Sequence, residues 1–173
     1  MFAGVQGPTA EPSAEAASAG ALAAAKKRLW DFPGFGPLTR IETEFGAFPA
    51  QTLRVGDRIR TREGPLKQIR WLDRVVLNEE FLHAHPEAQP ILVPAHALGR
   101  GYPRQDILLS PGQKLFGEGG IAARRIVTAE DLRLGAKAKR KPESMVTYTF
   151  FTCATPVDVR VEGIFAPLEP PHW

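Results

Sequence analysis

The chain is short of the side chains that start covalent chemistry. It has one cysteine, Cys153, and four histidines, with none between His96 and His172. A single thiol excludes an internal disulfide framework. The long gap between histidines leaves much of the C-terminal half without a side chain that exchanges protons near neutral pH. No apolar run is long enough to cross a bilayer as a helix, so no transmembrane segment is expected. The opening "MFAGVQGPTAEPSAEAASAG" has neither a basic n-region nor an apolar h-region. No Sec-type signal peptide is therefore expected, and cytoplasmic is the default reading of a location the sequence leaves open. Excess charge is small too. A formal +3 favours solubility and does not by itself imply nucleic acid.

What is present suits one globular domain with a tail: 173 residues, 43% of them hydrophobic. Residues 1 to about 12 are Gly-, Pro- and polar-rich, with little to bury, and read as disordered. The stretch "SAEAASAGALAAAKKRLWDF" (13–32) has helix-forming composition. Ser13 can cap it, Glu15 suits the first turn, and Lys26, Lys27 and Arg28 suit the last. Gly20 weakens the helix, its apolar stripe is thin, and Pro33 ends it. The expected division is a leader over 1–33, a β-domain over 34–168 and a tail over 169–173.

From Gly34 the pattern changes to short β-rich runs punctuated by Gly and Pro. Strands are expected at 39–42, 48–50, 58–60, 66–76, 91–93, 108–109, 114–116, 120–123, 147–152 and 157–162. In "KQIRWLDRVVL", Ile69 and Trp71 alternate with polar neighbours, as in a half-buried strand. A short helix is expected at 128–134, with Thr128 as N-cap, Asp131 at the third helical position and Gly135 at the C-cap. Many short strands at this spacing predict an all-β fold.

Several motifs then fall in a recognisable order. The opening "GFGPLTRIETEFG" (34–46) carries Phe35, Thr39, Ile41, Thr43 and Gly46. Next comes "AQTLRVGDRIRT" (50–61), with Gly56 and Asp57 in a turn. "QIRWL" (68–72) carries the pair Arg70-Trp71. "PILVPAHALGRGYPRQDILLSPGQKLF" (90–116) contains Ser110 and Pro111, and "VTYTFFTCATPVDVRVEGIFA" (146–166) closes the series. In this order the motifs resemble the Hint domain shared by hedgehog autoprocessing proteins and inteins, and in particular its bacterial stand-alone branch. The resemblance covers residues 34–168. It implies a compact disc or horseshoe of short strands with pseudo-twofold repeats, and an ancestral acyl shift at the domain entrance.

That shift needs a nucleophile, because its intermediate is covalent. The position equivalent to the family's Cys or Ser is Gly34, which has no side chain. The position equivalent to the histidine of the family's Ser-Pro-x-His motif is Gln113. A glutamine can donate a hydrogen bond but cannot relay a proton. Further positions equivalent to family histidines fall on Phe150 and Pro156. The resemblance therefore implies a domain without its catalytic residues, with Phe35, Thr39, Gly56, Asp57, Trp71, Ser110 and Pro111 retained as structural positions. Cys153, among apolar residues, reads as a buried and inert thiol.

Two other clusters carry charge or imidazole groups. "KAKRKP" (137–142) holds Lys137, Lys139, Arg140 and Lys141. It reads as a solvated loop or as a contact patch for phosphate or lipid. No aromatic side chains interleave it, which disfavours base stacking, so nucleic acid is an unlikely partner. In "EEFLHAHPE" (79–87), His83 and His85 would share a face if the segment were extended, but the spacing matches no metal motif, so no metal is expected. No cofactor or small-molecule substrate is implied. The expected function is a silent structural or interaction module with a protein partner still to be identified. Residual self-processing, and basic-surface binding to nucleic acid or anionic lipid, are the alternatives.

Overall fold

The computed structural model describes residues 32–117 and 125–170. The expected leader as far as residue 31, the strand at 120–123 and His172 lie outside the described residues. Within them the chain is built of short strands with two single-turn-scale helices.

One sheet gathers both ends of the domain. It runs β13 (Ile164–Leu168), β12 (Val157–Val161), β1 (Arg40–Thr43), β3 (Arg58–Ile59) and β4 (Lys67–Gln68), with β2 (Gly46–Pro49) hairpinned onto β1. Ile41 lies opposite Val161, which ties the first strand to the last part of the chain. In β12 and β13 alternate residues are buried, the period-2 signature of a strand with one face on a core. The two strands are joined by Glu162–Gly163, both with positive φ, in the geometry of the tightest hairpins.

Two further ladders complete the scaffold. The long strand β5 (Trp71–Leu77) pairs antiparallel with β11 (Val146–Thr152) along its full length. β6 (Ile91–Val93) pairs with β7 (Ile107–Leu109) and with β10 (Lys139–Arg140). A small ladder joins β8 (Lys114–Phe116) to β9 (Ile126–Thr128). The main core combines Phe35, Ile41, Leu53, Ile59, Ile69, Ile91, Ile107, Leu109, Leu115 and Phe151 with the inner faces of β12 and β13. A smaller core centres on Tyr148 with Leu77, Leu82, Ala88 and Val146, and Phe32 packs against it.

The structure corrects several local expectations. The run 66–76 is two strands, broken at Ile69–Arg70, where Ile69 turns wholly into the core. Residues 79–84 form a helix, α1, with the Asn78 side chain accepting the Phe81 amide at 3.0 Å. His83 and His85 consequently do not share the face an extended segment would give them. His85 ends the helix and lies 3.6 Å from Glu87. The helix α2 (Ala129–Leu134) has the expected capping box between Thr128 and Asp131. Gly135 is its C-cap, but the left-handed residue is Ala136. The 137–142 stretch contains a paired strand, β10, so it is not a bare loop.

The domain entrance and the cleft beside it

The site begins where the chain enters the domain. Residues 34–36 form a short extended segment inserted between β7 and β11, bridging two ladders that otherwise do not pair. Phe35 donates to the Thr149 carbonyl at 2.8 Å and accepts from the Thr149 amide at 2.9 Å. On the other edge, the Gly36 amide donates to the Leu108 carbonyl at 2.6 Å and the Ser110 amide donates to the Gly34 carbonyl at 2.9 Å. Thr39 fastens the same edge: its hydroxyl donates to the Leu108 carbonyl at 2.8 Å and accepts the Leu108 amide at 3.1 Å. Phe35 is fully buried and stacks on Phe151 with centroids 5.8 Å apart.

Two glycines make this insertion feasible. A Cβ on Gly36 would lie 2.7 Å from both Cβ and O of Leu108. A Cβ on Gly34 would lie 2.9 Å from Tyr148 Cβ, 3.4 Å from Tyr148 Cγ and 3.5 Å from Ser110 Oγ. Side chains on neighbouring strands normally keep their Cβ atoms about 4.5–5.5 Å apart, so the main chains here approach too closely for two side chains. Tyr148 itself is fixed. It is fully buried, its hydroxyl donates to the Ala88 carbonyl at 3.1 Å, and burial pushes the phenol pKa well up.

Upstream of Gly34, the Ser110 hydroxyl donates to the Phe32 carbonyl at 2.8 Å. The carbonyl held by Ser110 therefore belongs to Phe32, one residue before the peptide that joins Pro33 to Gly34. The hydrogen of the Ser110 hydroxyl is committed to that carbonyl. The Phe32 ring sits edge-on to Tyr148, centroids 5.9 Å apart, and tilted against Phe150 at 6.2 Å. Phe150 in turn packs on Trp71 at 5.4 Å.

This row of rings leads into a cleft of about 510 Å³. Pro33 and Phe35 line it at the entrance, Trp71 and Phe150 form an aromatic wall, and Leu168 and Glu169 line it where the chain leaves the domain. Gln113 lies in its floor, fully buried. Its amide NH2 donates to the Lys114 carbonyl at 2.9 Å, which dictates the orientation of the amide, and its Oε1 has no hydrogen-bond partner among the described residues. A buried acceptor left open in this way costs about 1–3 kcal/mol, so its presence on a cleft is a chemical feature in its own right.

The structure brings together some of the residues singled out in the sequence and separates others. Gly34, Ser110, Gln113, Phe150 and Trp71 meet at the entrance and cleft. Pro156 is exposed in the turn before β12 and does not line the cleft. Gly56, with φ of 101°, and Asp57 form a turn in which Asp57 Oδ2 accepts the Arg54 amide at 2.8 Å. The Pro111 carbonyl accepts from the first turn of α2. Cys153 is buried, and burial raises its thiol pKa. Among the basic residues, Arg140 is half-buried and braces the fold. It donates to the Glu87 and Gln89 carbonyls at 2.8 and 3.0 Å and to Glu130 at 2.8 Å. Lys141 pairs with Glu143, and Lys139 is exposed. Tyr148 is the residue that sequence reasoning passed over. The alternation of "VTYTFF" marks it as inward-facing, but its place beside Phe32 is a contact between segments far apart in the chain.

An all-β domain with its entering and leaving segments on one cleft, and an entrance strand clasped by a Ser-Pro turn, is the class these features define. The chain belongs to the Hint domain family, whose model matches residues 33–167. Among solved structures, the MchDnaB-1 intein superposes with a TM-score of 0.52 at 14% identity, covering 77% of this chain and 98% of that one. The gp41-1 intein gives 0.50 at 10% identity, covering 78% and 98%. These two likenesses are of fold. No curated protein matches the sequence.

Proposed function

We propose that this Hint domain has lost the acyl shift and serves as a structural or interaction module. The observation that carries the reading is the space at Gly34. The position where the family reaction needs a thiol or hydroxyl lacks one, and the main chain has closed to a distance that leaves no room for a Cβ. Supporting it, Gln113 occupies the position equivalent to the family histidine, and its side-chain NH2 is committed to the backbone carbonyl of Lys114 next to it. Without a base, general acid–base help of about 10²–10⁴-fold is lost as well. The cleft beside this position remains open and aromatic-walled, which suits a retained binding role.

The test is a fusion carrying a folded reporter upstream of residue 32, incubated for days with and without added thiol. The uncut fusion is the expected product in both. Time-dependent scission between Pro33 and Gly34 would overturn the reading.

A further inference from the structure

We propose that the outer face of the sheet at β1, β3 and β12 docks an extended acidic segment of a partner protein, with Arg60, Arg104 and Arg160 as the groups that meet its carboxylates. The arginines and glutamates of this face line no part of the cleft, so the inference stands apart from the loss of the acyl shift.

The register of the strands builds the face. Ile41 lies opposite Val161 and Thr43 opposite Ile59, all four buried on the core side. The alternate positions Arg40, Glu42, Arg60 and Arg160 are therefore turned outward. The Arg60 amide donates to the Glu42 carbonyl at 2.8 Å, and the Arg60 carbonyl accepts from the Arg160 amide at 3.2 Å, which seats the three residues side by side. Arg104 joins them from the loop before β7, where its amide donates to the Glu162 carbonyl at 2.9 Å.

Charge on this face is uneven. Glu42 is the shared counter-ion: Arg160 Nε lies 3.4 Å and Arg104 Nη1 3.9 Å from its Oε1. Both separations exceed the roughly 2.7–2.9 Å of a charge-assisted hydrogen bond. Arg60 is exposed, and its side chain has no ion pair or hydrogen bond among the described residues. The other carboxyl at hand is Glu162, where burial raises the pKa against the pull of Arg40 and Arg104. Four guanidiniums thus face two carboxylates, one of which is largely buried. At the margins the charges balance, with Arg58 paired to Glu44 at 3.1 Å and Arg62 to Asp158 at 3.0 Å.

That pattern selects the partner. Carboxylates at alternate residues of an extended chain fall about 6.4–6.8 Å apart, the repeat at which Arg58, Arg60 and Arg62 project. The planar fork of a guanidinium matches the two oxygens of a carboxylate. A nucleic-acid strand or an anionic membrane presents unbroken negative charge, which the interspersed Glu42, Glu44 and Asp158 repel.

The experiment titrates the full ¹⁵N-labelled chain with an acetylated and amidated (Glu-Thr)5 peptide at low salt and follows the arginine Nε–Hε signals by NMR. The Arg60 and Arg104 signals are expected to shift, the Arg140 signal to stay, and (Gln-Thr)5 to shift none of them. Arg60→Gln, which removes no side-chain contact within the described fold, should raise Kd by about 1.5- to 5-fold, the worth of one exposed ion pair. Arg60→Gln combined with Arg104→Gln should raise it by about 2- to 25-fold, while Lys139→Gln on β10 should leave it unchanged. Arginine signals that ignore the acidic peptide, or an affinity indifferent to both arginine variants, would overturn the inference. Tighter binding of an oligothymidylate or of phosphatidylserine vesicles through the same arginines would overturn the choice of an acidic protein segment as the occupant.

Discussion

Replacing Gly34 by alanine adds one methyl group and nothing else, and the sign of its effect is diagnostic. At a position with room, Gly→Ala stabilises a protein by about 0.4–1 kcal/mol, because alanine has less freedom to lose on folding. Gly34 lacks that room. Its added Cβ would stand 2.9 Å from Tyr148 Cβ, whereas carbon atoms in favourable contact are about 3.5–4.0 Å apart. Relief cannot come from rotating the tyrosine, since the near atom is its Cβ, fixed by the main chain of β11. The entrance segment must instead move by roughly an ångström. That movement strains the Phe35–Thr149 pair of hydrogen bonds and the Ser110–Gly34 bond. Overpacking of this kind costs about 1–3 kcal/mol. For a domain of this size each kcal/mol moves Tm by about 2–4 °C, so Gly34→Ala should lower Tm by about 2–12 °C. Thermal and urea unfolding of the two full-length chains give the comparison. An alanine variant as stable as the parent, or more stable, would refute the claim that the nucleophile position has closed.

Two further outcomes follow from the same geometry. Ser110→Ala leaves the part-buried Phe32 carbonyl without its donor, which should cost about 0.5–1.5 kcal/mol. Hydrogen exchange should show lower protection at Phe35 and Thr149, and unchanged protection there would contradict the clasp. Glu130 supplies a pH signature. Burial alone would raise its pKa, but the Arg133 hydrogen bond and the Arg140 and Arg133 charges outweigh burial and hold it below the ordinary 4.5. A lowered folded pKa adds stability that is fully present above the unfolded value and disappears as pH falls through the folded one. Glu130→Gln should therefore reduce stability at neutral pH and flatten the acid limb below about pH 4.5. Parallel pH profiles for the two proteins would count against that role.

Much of the scaffold could be read from sequence because it is local. The Thr128–Asp131 capping box, the alternation in β12 and the turn at Gly56–Asp57 each depend on neighbours within a few residues. The order of motifs supplied the family. What could not be read depends on chain segments far apart in sequence meeting in space. Gly34 reads as a missing side chain; only the approach of β11, more than a hundred residues on, turns it into a closed site. Arg140 reads as one charge in a basic run, yet it spends its guanidinium on carbonyls near residue 88 and on Glu130. The sharing of a face by His83 and His85 presumes an extended 79–87 segment, whereas the Asn78 cap with two following glutamates is a helix signal already present in the sequence. Cys153 is legible as buried from the apolar Phe151 before it and Val157 after it, which share its core.

The most direct measurement is intact-mass analysis of a fusion with residues placed upstream of Phe32, held for days in hydroxylamine, which captures any ester or thioester as it forms. The account predicts a single unchanged mass, both for the parent and for a chain carrying Gly34→Cys with Gln113→His. A hydroxamate-capped fragment ending at Pro33, released from the parent chain, would contradict it.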